Sequence, residues 1–108
     1  MKRFTVTVTI DRPLGYVDSY NNTYPVNYGF VEGIIAGDGE AQDAYVLLKT
    51  EKLTSFVGEV IAVVVRKDDV EDKWVVAKRG TFLSKQEIAD QIAFIEQYFD
   101  SDIFLLFT

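Results

Sequence analysis

The sequence of 108 residues contains no cysteine and no histidine. Without cysteine, the chain cannot form a disulfide, act through a thiolate or bind zinc or an iron–sulfur cluster through sulfur. Without histidine, it lacks the commonest general base and the commonest side-chain ligand of transition metals. Any catalytic chemistry must therefore use carboxylates, lysine, tyrosine, serine or a hard metal ion bound by oxygen atoms.

Positive charge is also scarce, because 11 Lys and Arg residues face 17 Asp and Glu residues, for a net charge of −6. Proteins that bind nucleic acid usually carry a basic face, and an anionic membrane surface repels an acidic chain. We therefore expect neither partner, but a small phosphate-containing ligand remains compatible with a bound cation or a local basic spot. No apolar run reaches membrane-spanning length, and the alternating residues after Met1 do not form a signal peptide, so we expect a cytoplasmic protein.

The apolar residues follow a strand-like pattern over most of the chain. From Phe4 to Ile10, apolar residues alternate with threonine, which is typical of a strand with one buried face. Stretches rich in β-formers predict further strands within residues 24–35, 44–48, 57–65, 73–77 and 103–107, the last as a closing strand. The length fits a single domain over residues 1–108.

The period changes near the C-terminus. Ser84 and Glu87 have the spacing of a capping box, and an apolar stripe with helical spacing follows at Ile88, Ile92, Ile95 and Phe99. These features predict a helix over residues 84–99. Strands followed by one late helix predict a mainly β protein, a small OB-type five-stranded Greek-key barrel with one C-terminal α-helix.

Two acidic loops each precede a predicted strand. The first, residues 38–43, reads D-G-E-A-Q-D, and the second, residues 68–72, reads D-D-V-E-D and is followed by Lys73. Carboxylates that share a small space need protons or cations between them, and oxygen ligands favour Mg²⁺, Mn²⁺ or Ca²⁺. The alternative is that both loops are ordinary solvated turns, which is the commoner situation on composition alone.

A third feature, Y-P-V-N-Y-G at residues 24–29, is by itself only the start of an edge strand. In this order, however, the motif, the two acidic loops and a late helix ending near Tyr98 resemble the soluble, Mg²⁺-dependent family I inorganic pyrophosphatases, from about Phe4 to Phe99. The resemblance implies an OB-type barrel, hydrolysis of diphosphate to two phosphates, a place in phosphate metabolism and Mg²⁺, or Mn²⁺, as cofactor.

The resemblance also implies roles for individual residues. Glu40 would orient or deprotonate the attacking water, and Asp11 loosely matches an early acidic residue of the site. The implied metal ligands are Asp38 and Asp43, one of Asp68 and Asp69, and one of Glu71 and Asp72. The implied phosphate contacts are Lys73, Tyr28 and Tyr98.

The sequence departs from the family where phosphate would be held. Residues 14–23 contain no Lys or Arg, and Phe99 stands where the family has a lysine, so three cationic contacts are missing. Glu40 is one methylene longer than the family's aspartate. Two functions therefore stay open: weak Mg²⁺-dependent hydrolysis of diphosphate or a related phosphoanhydride, or a catalytically degenerate OB-type module that binds a metal, a phosphorylated ligand or a protein partner. Eight Phe and six Tyr also leave room for a homo-oligomer interface.

Overall fold

The computed structural model describes residues 2–68 and 71–107, which form a β-barrel with one helix packed on its outer face. The elements in chain order are β1 (Phe4–Arg12), β2 (Asn27–Ile35), β3 (Ala41–Val46), β4 (Ser55–Arg66), β5 (Asp72–Ala77), α1 (Lys85–Glu96) and β6 (Ser101–Leu105).

Five strands form the closed ring in the order β1-β2-β3-β5-β4, and β4 pairs back onto β1. The β3–β5 pair is parallel and the other pairs are antiparallel. The predicted five-stranded barrel with a C-terminal helix is confirmed. The last strand differs from the sequence prediction, because β6 lies outside the ring and does not close it. The first half of the long β4 pairs with β1, which leaves the second half, from Ala62 to Arg66, free to pair with β6.

Alternation along the strands produces two hydrophobic cores. The inner core fills the barrel and contains Val8, Val31, Val60 and Val76. The outer core lies between the barrel and α1 and contains Tyr45, Leu47, Ile61, Ile88 and Ile92. The outer face of β3, β4 and β5 is therefore covered only where α1 reaches it, and the remaining part of this face is available for a site.

The predicted helix begins at the predicted cap and ends three residues early. The Ser84 hydroxyl accepts a hydrogen bond from the Glu87 amide at 3.1 Å, and the Glu87 carboxylate accepts one from the Ser84 amide at 3.0 Å. The helix ends at Glu96 because the chain must turn there for Ser101 to pair with Arg66 at the start of β6. Across the described ranges, no helix combines the length and the apolar character that crossing a membrane requires.

Candidate functional site

A pocket of about 720 Å³ lies on the outer face of the barrel beside the C-terminal end of α1. Its volume falls within the ~300–1,000 Å³ that is usual for small-molecule sites. The charged residues that line it are Asp11, Arg12, Asp18, Asp43, Arg66, Glu71 and Lys73, and the aromatic residues are Tyr20, Tyr24, Tyr28, Tyr45, Tyr98 and Phe99. The pocket therefore combines charge with a large aromatic surface.

The pocket brings together one subset of the site residues predicted from the sequence. These are Asp11, Tyr28, Asp43, Glu71, Lys73 and Tyr98. Glu71 and Lys73 are two residues apart and reach the same face, whereas Asp72 between them does not line the pocket.

The other predicted residues lie elsewhere. Asp38 and Glu40 are exposed in the turn between β2 and β3, where the Asp38 carboxylate accepts a hydrogen bond from the Glu40 amide at 3.0 Å. Asp68 is exposed in the turn that follows β4. Asp69 falls outside the described residues.

Lys73 connects the two acidic loops at the pocket wall. Its ammonium lies 2.6 Å from the Asp43 carboxylate and 2.6 Å from the Glu71 carboxylate, and the residue is almost fully buried. Burial raises the pKa of the neighbouring Tyr28 hydroxyl, and the negative charge of Asp43 raises it further. Tyr28 therefore stays protonated and remains a hydrogen-bond donor at neutral pH.

A second ionic cluster, which the sequence did not predict, is centred on Glu96 at the end of α1. The Glu96 carboxylate accepts hydrogen bonds from Arg66 Nε at 3.0 Å and Nη2 at 2.7 Å, from the Tyr45 hydroxyl at 2.6 Å and from the Ser101 hydroxyl at 2.8 Å. Arg66 also lies 3.7 Å from Glu71. This cluster joins the helix end to β3, β4 and β6, and two of its members, Tyr45 and Arg66, line the pocket.

Burial raises the pKa of Glu96, but its hydrogen bonds from Arg66 and Tyr45 outweigh that effect, so the pKa lies below its usual value. For Arg66, burial lowers the pKa, but the hydrogen bond to Glu96 and its negative charge raise it by more, so the pKa lies above its usual value. Both groups are therefore charged. Phe99 covers the Arg66 guanidinium, with 3.7 Å between the guanidinium carbon and the ring centroid.

Arg12, at the end of β1, is the third cation of the pocket and was also missed from the sequence. Its Nη1 donates a hydrogen bond to the Tyr24 hydroxyl at 2.6 Å, and its guanidinium carbon lies 5.5–5.8 Å from the ring centroids of Tyr16, Tyr24 and Tyr28. Within residues 2–68 and 71–107, no carboxylate lies within ion-pair distance of Arg12, unlike Arg66 and Lys73. No local sequence pattern marks Arg12, because its place in the pocket depends on the register of β1 against β2, which pairs Arg12 with Tyr28.

Comparison with known proteins identifies the fold. No protein-family model matches the sequence, and no curated protein matches it significantly. The structure, in contrast, is similar to an inorganic pyrophosphatase from Neisseria gonorrhoeae, with 19% identity, a TM-score of 0.65 and coverage of 87% of this chain and 73% of that chain. It is also similar to those from Coxiella burnetii (16% identity, TM-score 0.66, 96% and 84% covered) and Helicobacter pylori (18%, 0.64, 94% and 82%). The chain has the inorganic pyrophosphatase fold.

Within this pyrophosphatase fold, two residues of the Y-P-V-N-Y-G motif, Asn27 and Gly29, have structural roles. The fully buried Asn27 accepts hydrogen bonds from the amides of Leu14 and Leu53 at 3.0 and 3.1 Å and donates one to the Glu51 carbonyl at 3.0 Å. Gly29 packs so closely against β1 that a Cβ atom would overlap the Thr9 carbonyl oxygen. These two residues shape the loops around the pocket, whereas Tyr24 and Tyr28 line it.

Over residues 2–68 and 71–107, the donor set does not fit a two-metal centre. In the part of the chain that the structure describes, no three Asp or Glu side chains are arranged to hold one metal ion. Asp43 and Glu71 both contact Lys73, and Glu71 also faces Arg66. The carboxylates that reach the pocket wall at this point are therefore already compensated by side-chain cations of the protein.

Proposed function

We propose that the pocket binds a small phosphate-containing ligand through the protein's own cations and tyrosine hydroxyls. The observation that carries this proposal is the state of Arg12. It lines the pocket, stays charged and, among the described residues, has no carboxylate within ion-pair distance, although the charge of Asp18 lies near enough to interact with it. Arginine presents a planar fork of N–H donors that suits phosphate oxygens. Arg12 is therefore the principal phosphate-binding residue of this proposal.

The groups around Arg12 fit the same ligand. Tyr24 accepts from one arm of the guanidinium and thereby orients the remaining N–H donors. Tyr28, which pairs with Arg12 across the sheet, keeps its proton and can donate to a phosphate oxygen. A hydrogen bond to a charged group contributes about 1.5–3 kcal/mol, so one such bond from Arg12 accounts for about a 10- to 150-fold difference in affinity.

Charge compensation favours binding over hydrolysis. Two-metal phosphoryl chemistry needs carboxylates that are free to hold the ions, and here the Lys73 ammonium lies between Asp43 and Glu71. A Mg²⁺ ion at these carboxylates would have to displace a buried lysine that makes two 2.6 Å contacts. The leading proposal is therefore the degenerate module with the pyrophosphatase fold that binds a phosphorylated ligand.

Mg²⁺-dependent hydrolysis of diphosphate is the second candidate function. It is favoured by the shared fold and by the lining of one pocket by Tyr28, Asp43, Glu71, Lys73 and Tyr98, all of which the resemblance assigns to a pyrophosphatase site. Against it, Glu40, the implied catalytic residue, lies in an exposed turn and does not line the pocket.

The binding proposal is tested by calorimetric titration with inorganic phosphate and diphosphate in excess EDTA. We expect Arg12→Gln to weaken binding by about 10- to 150-fold, which corresponds to the loss of one hydrogen bond to a charged group. Arg79→Gln is the matched control, because Arg79 is exposed after β5 and does not line the pocket. Equal affinities for wild type and Arg12→Gln would contradict the proposal.

A phosphate-release assay with diphosphate and Mg²⁺ or Mn²⁺ tests the second candidate. We expect no metal-dependent release above that of the Asp43→Asn variant. Release by the wild type that disappears in excess EDTA and in Glu40→Gln would instead support a pyrophosphatase and would displace the binding module as the leading proposal.

A further inference from the structure

The loop between β1 and β2 holds an exposed tyrosine at the mouth of the pocket. Tyr20 lines the pocket and yet is 86% exposed. The Asp18 carboxylate organises this loop, because one of its oxygens accepts hydrogen bonds from the amides of Tyr20 and Asn22, both at 2.9 Å. The loop is therefore an ordered support, and Tyr20 has no packing role that would explain a large aromatic side chain at its tip.

The base of this loop is also well paired. The Gly15 amide donates to the Tyr24 carbonyl at 2.7 Å, and the Tyr24 amide donates to the Tyr16 carbonyl at 2.8 Å. Val17 and Thr23 form a β-bridge further out. The loop is thus a short antiparallel hairpin that fixes Tyr20 relative to Arg12 and Tyr24 below it.

A second exposed ring lines the same pocket from another element. Tyr98 follows the end of α1 and is 66% exposed. Diphosphate has no aromatic face that could stack on either ring, and the pocket volume of about 720 Å³ suits a drug-sized ligand. The pocket thus has exposed aromatic faces at its mouth and phosphate-compatible donors, Arg12 and Tyr28, on its wall.

We propose that the ligand is a nucleoside phosphate, whose phosphate contacts Arg12 while its base stacks on Tyr20 or Tyr98 at the mouth. This inference rests on the proposed function, since it assigns a class to the same phosphate-containing ligand. Every nucleobase has a π-face, so stacking recognises the class of ligand without selecting one base. Loss of one stacking side chain weakens binding by about 5- to 150-fold.

The test is a calorimetric comparison of adenosine monophosphate, adenosine and inorganic phosphate in excess EDTA. We expect the nucleotide to bind at least about tenfold more tightly than phosphate, in line with the contribution of one stacked base. Tyr20→Leu, Tyr98→Leu or both should weaken nucleotide binding and leave phosphate binding unchanged, and replacement of the same tyrosine by Phe should retain the wild-type affinity because it keeps the ring. Phe82→Leu is the control, since Phe82 is 72% exposed and does not line the pocket.

The outcomes separate this inference from the proposed function. Equal affinities for phosphate and nucleotide, or nucleotide binding that Tyr20→Leu and Tyr98→Leu both leave unchanged, would overturn the nucleoside phosphate and leave phosphate binding intact. Absence of binding by both phosphate and nucleotide would overturn the two together. Because Tyr20 is exposed, its substitution should not unfold the protein, and circular dichroism of each variant verifies this.

Discussion

Replacement of Glu96 by alanine should destabilise the protein more than most single substitutions. The Glu96 carboxylate is only 7% exposed and accepts four hydrogen bonds, two of them from Arg66. Its removal leaves the Arg66 side chain, 5% exposed, with Glu71 at 3.7 Å as its only charged partner among the described residues. Breaking a buried ion pair on one side costs about 3–5 kcal/mol, which is a large share of the ~5–15 kcal/mol that stabilises a typical domain.

The assay is urea unfolding at pH 7, followed by the circular dichroism of the barrel. We expect Glu96→Ala to lose about 3–5 kcal/mol and Glu96→Gln, which keeps the side-chain shape and an acceptor oxygen, to lose about 1.5–3 kcal/mol. Glu51→Ala is the control, because Glu51 is exposed and its one charged contact in the described part of the chain, to Lys49, is 3.9 Å long. The change in the free energy of unfolding should stay within about 0.5 kcal/mol. A loss below about 1 kcal/mol for Glu96→Ala would refute the claim that Arg66 and Glu96 form a stabilising buried ion pair.

The same residue gives the stability a pH dependence. The pKa of Glu96 in the folded protein is lowered from its ordinary value of 4.5, so the unfolded chain takes up a proton first as the pH falls. The contribution of Glu96 is therefore complete above pH 4.5 and is lost as the pH falls through the lower folded value. Unfolding free energies measured between pH 7 and pH 3 should decrease more steeply for the wild type than for Glu96→Gln, and parallel curves would contradict this.

Three further substitutions test how the fold supports the pocket, each by urea unfolding. Asn27→Ala leaves two amides and a carbonyl without their partner, and should cost at least about 1–3 kcal/mol; no change would mean that water replaces the side chain. Gly29→Ala should destabilise more than Gly33→Ala, because only at Gly29 does the new methyl overlap backbone, whereas Gly33 has open space and a positive φ of 77°; the reverse order would show that β1 shifts to accommodate the methyl. Ser84→Ala should cost about 0.5–2 kcal/mol through loss of the helix cap. An unchanged midpoint of urea unfolding would show that the cap does not stabilise the protein.

The fold could be predicted from the sequence because the patterns that indicate its strands and its helix are local. The alternation around Val8 predicted a strand that contributes to the barrel interior, and the Ser84–Glu87 capping box predicted the helix start to the residue. The position of β6 in the sheet could not be predicted from a local pattern. It depends on the register of β4 against β1, which leaves Ala62 to Arg66 for the last strand.

The candidate site was accessible from the sequence only in part, for the same reason. Tyr28, Asp43 and Lys73 could be found because they belong to short motifs on neighbouring strands. The pair of Arg66 and Glu96 spans 30 residues and exists only because the end of β4 meets the end of α1. No local pattern in the sequence indicates that these two ends meet, so Arg66, which also faces Glu71, was missed.

The measurement that tests the account most directly is the affinity for inorganic diphosphate in excess EDTA compared with excess Mg²⁺. If the protein's own cations bind the phosphate, wild type binds in EDTA and Arg12→Gln loses about 10- to 150-fold of that affinity, while Arg79→Gln binds as the wild type does. The opposite result would be diphosphate binding that requires Mg²⁺, is lost in Asp43→Asn and is unchanged in Arg12→Gln. That result would contradict binding by the protein's own cations and would favour a metal-dependent site.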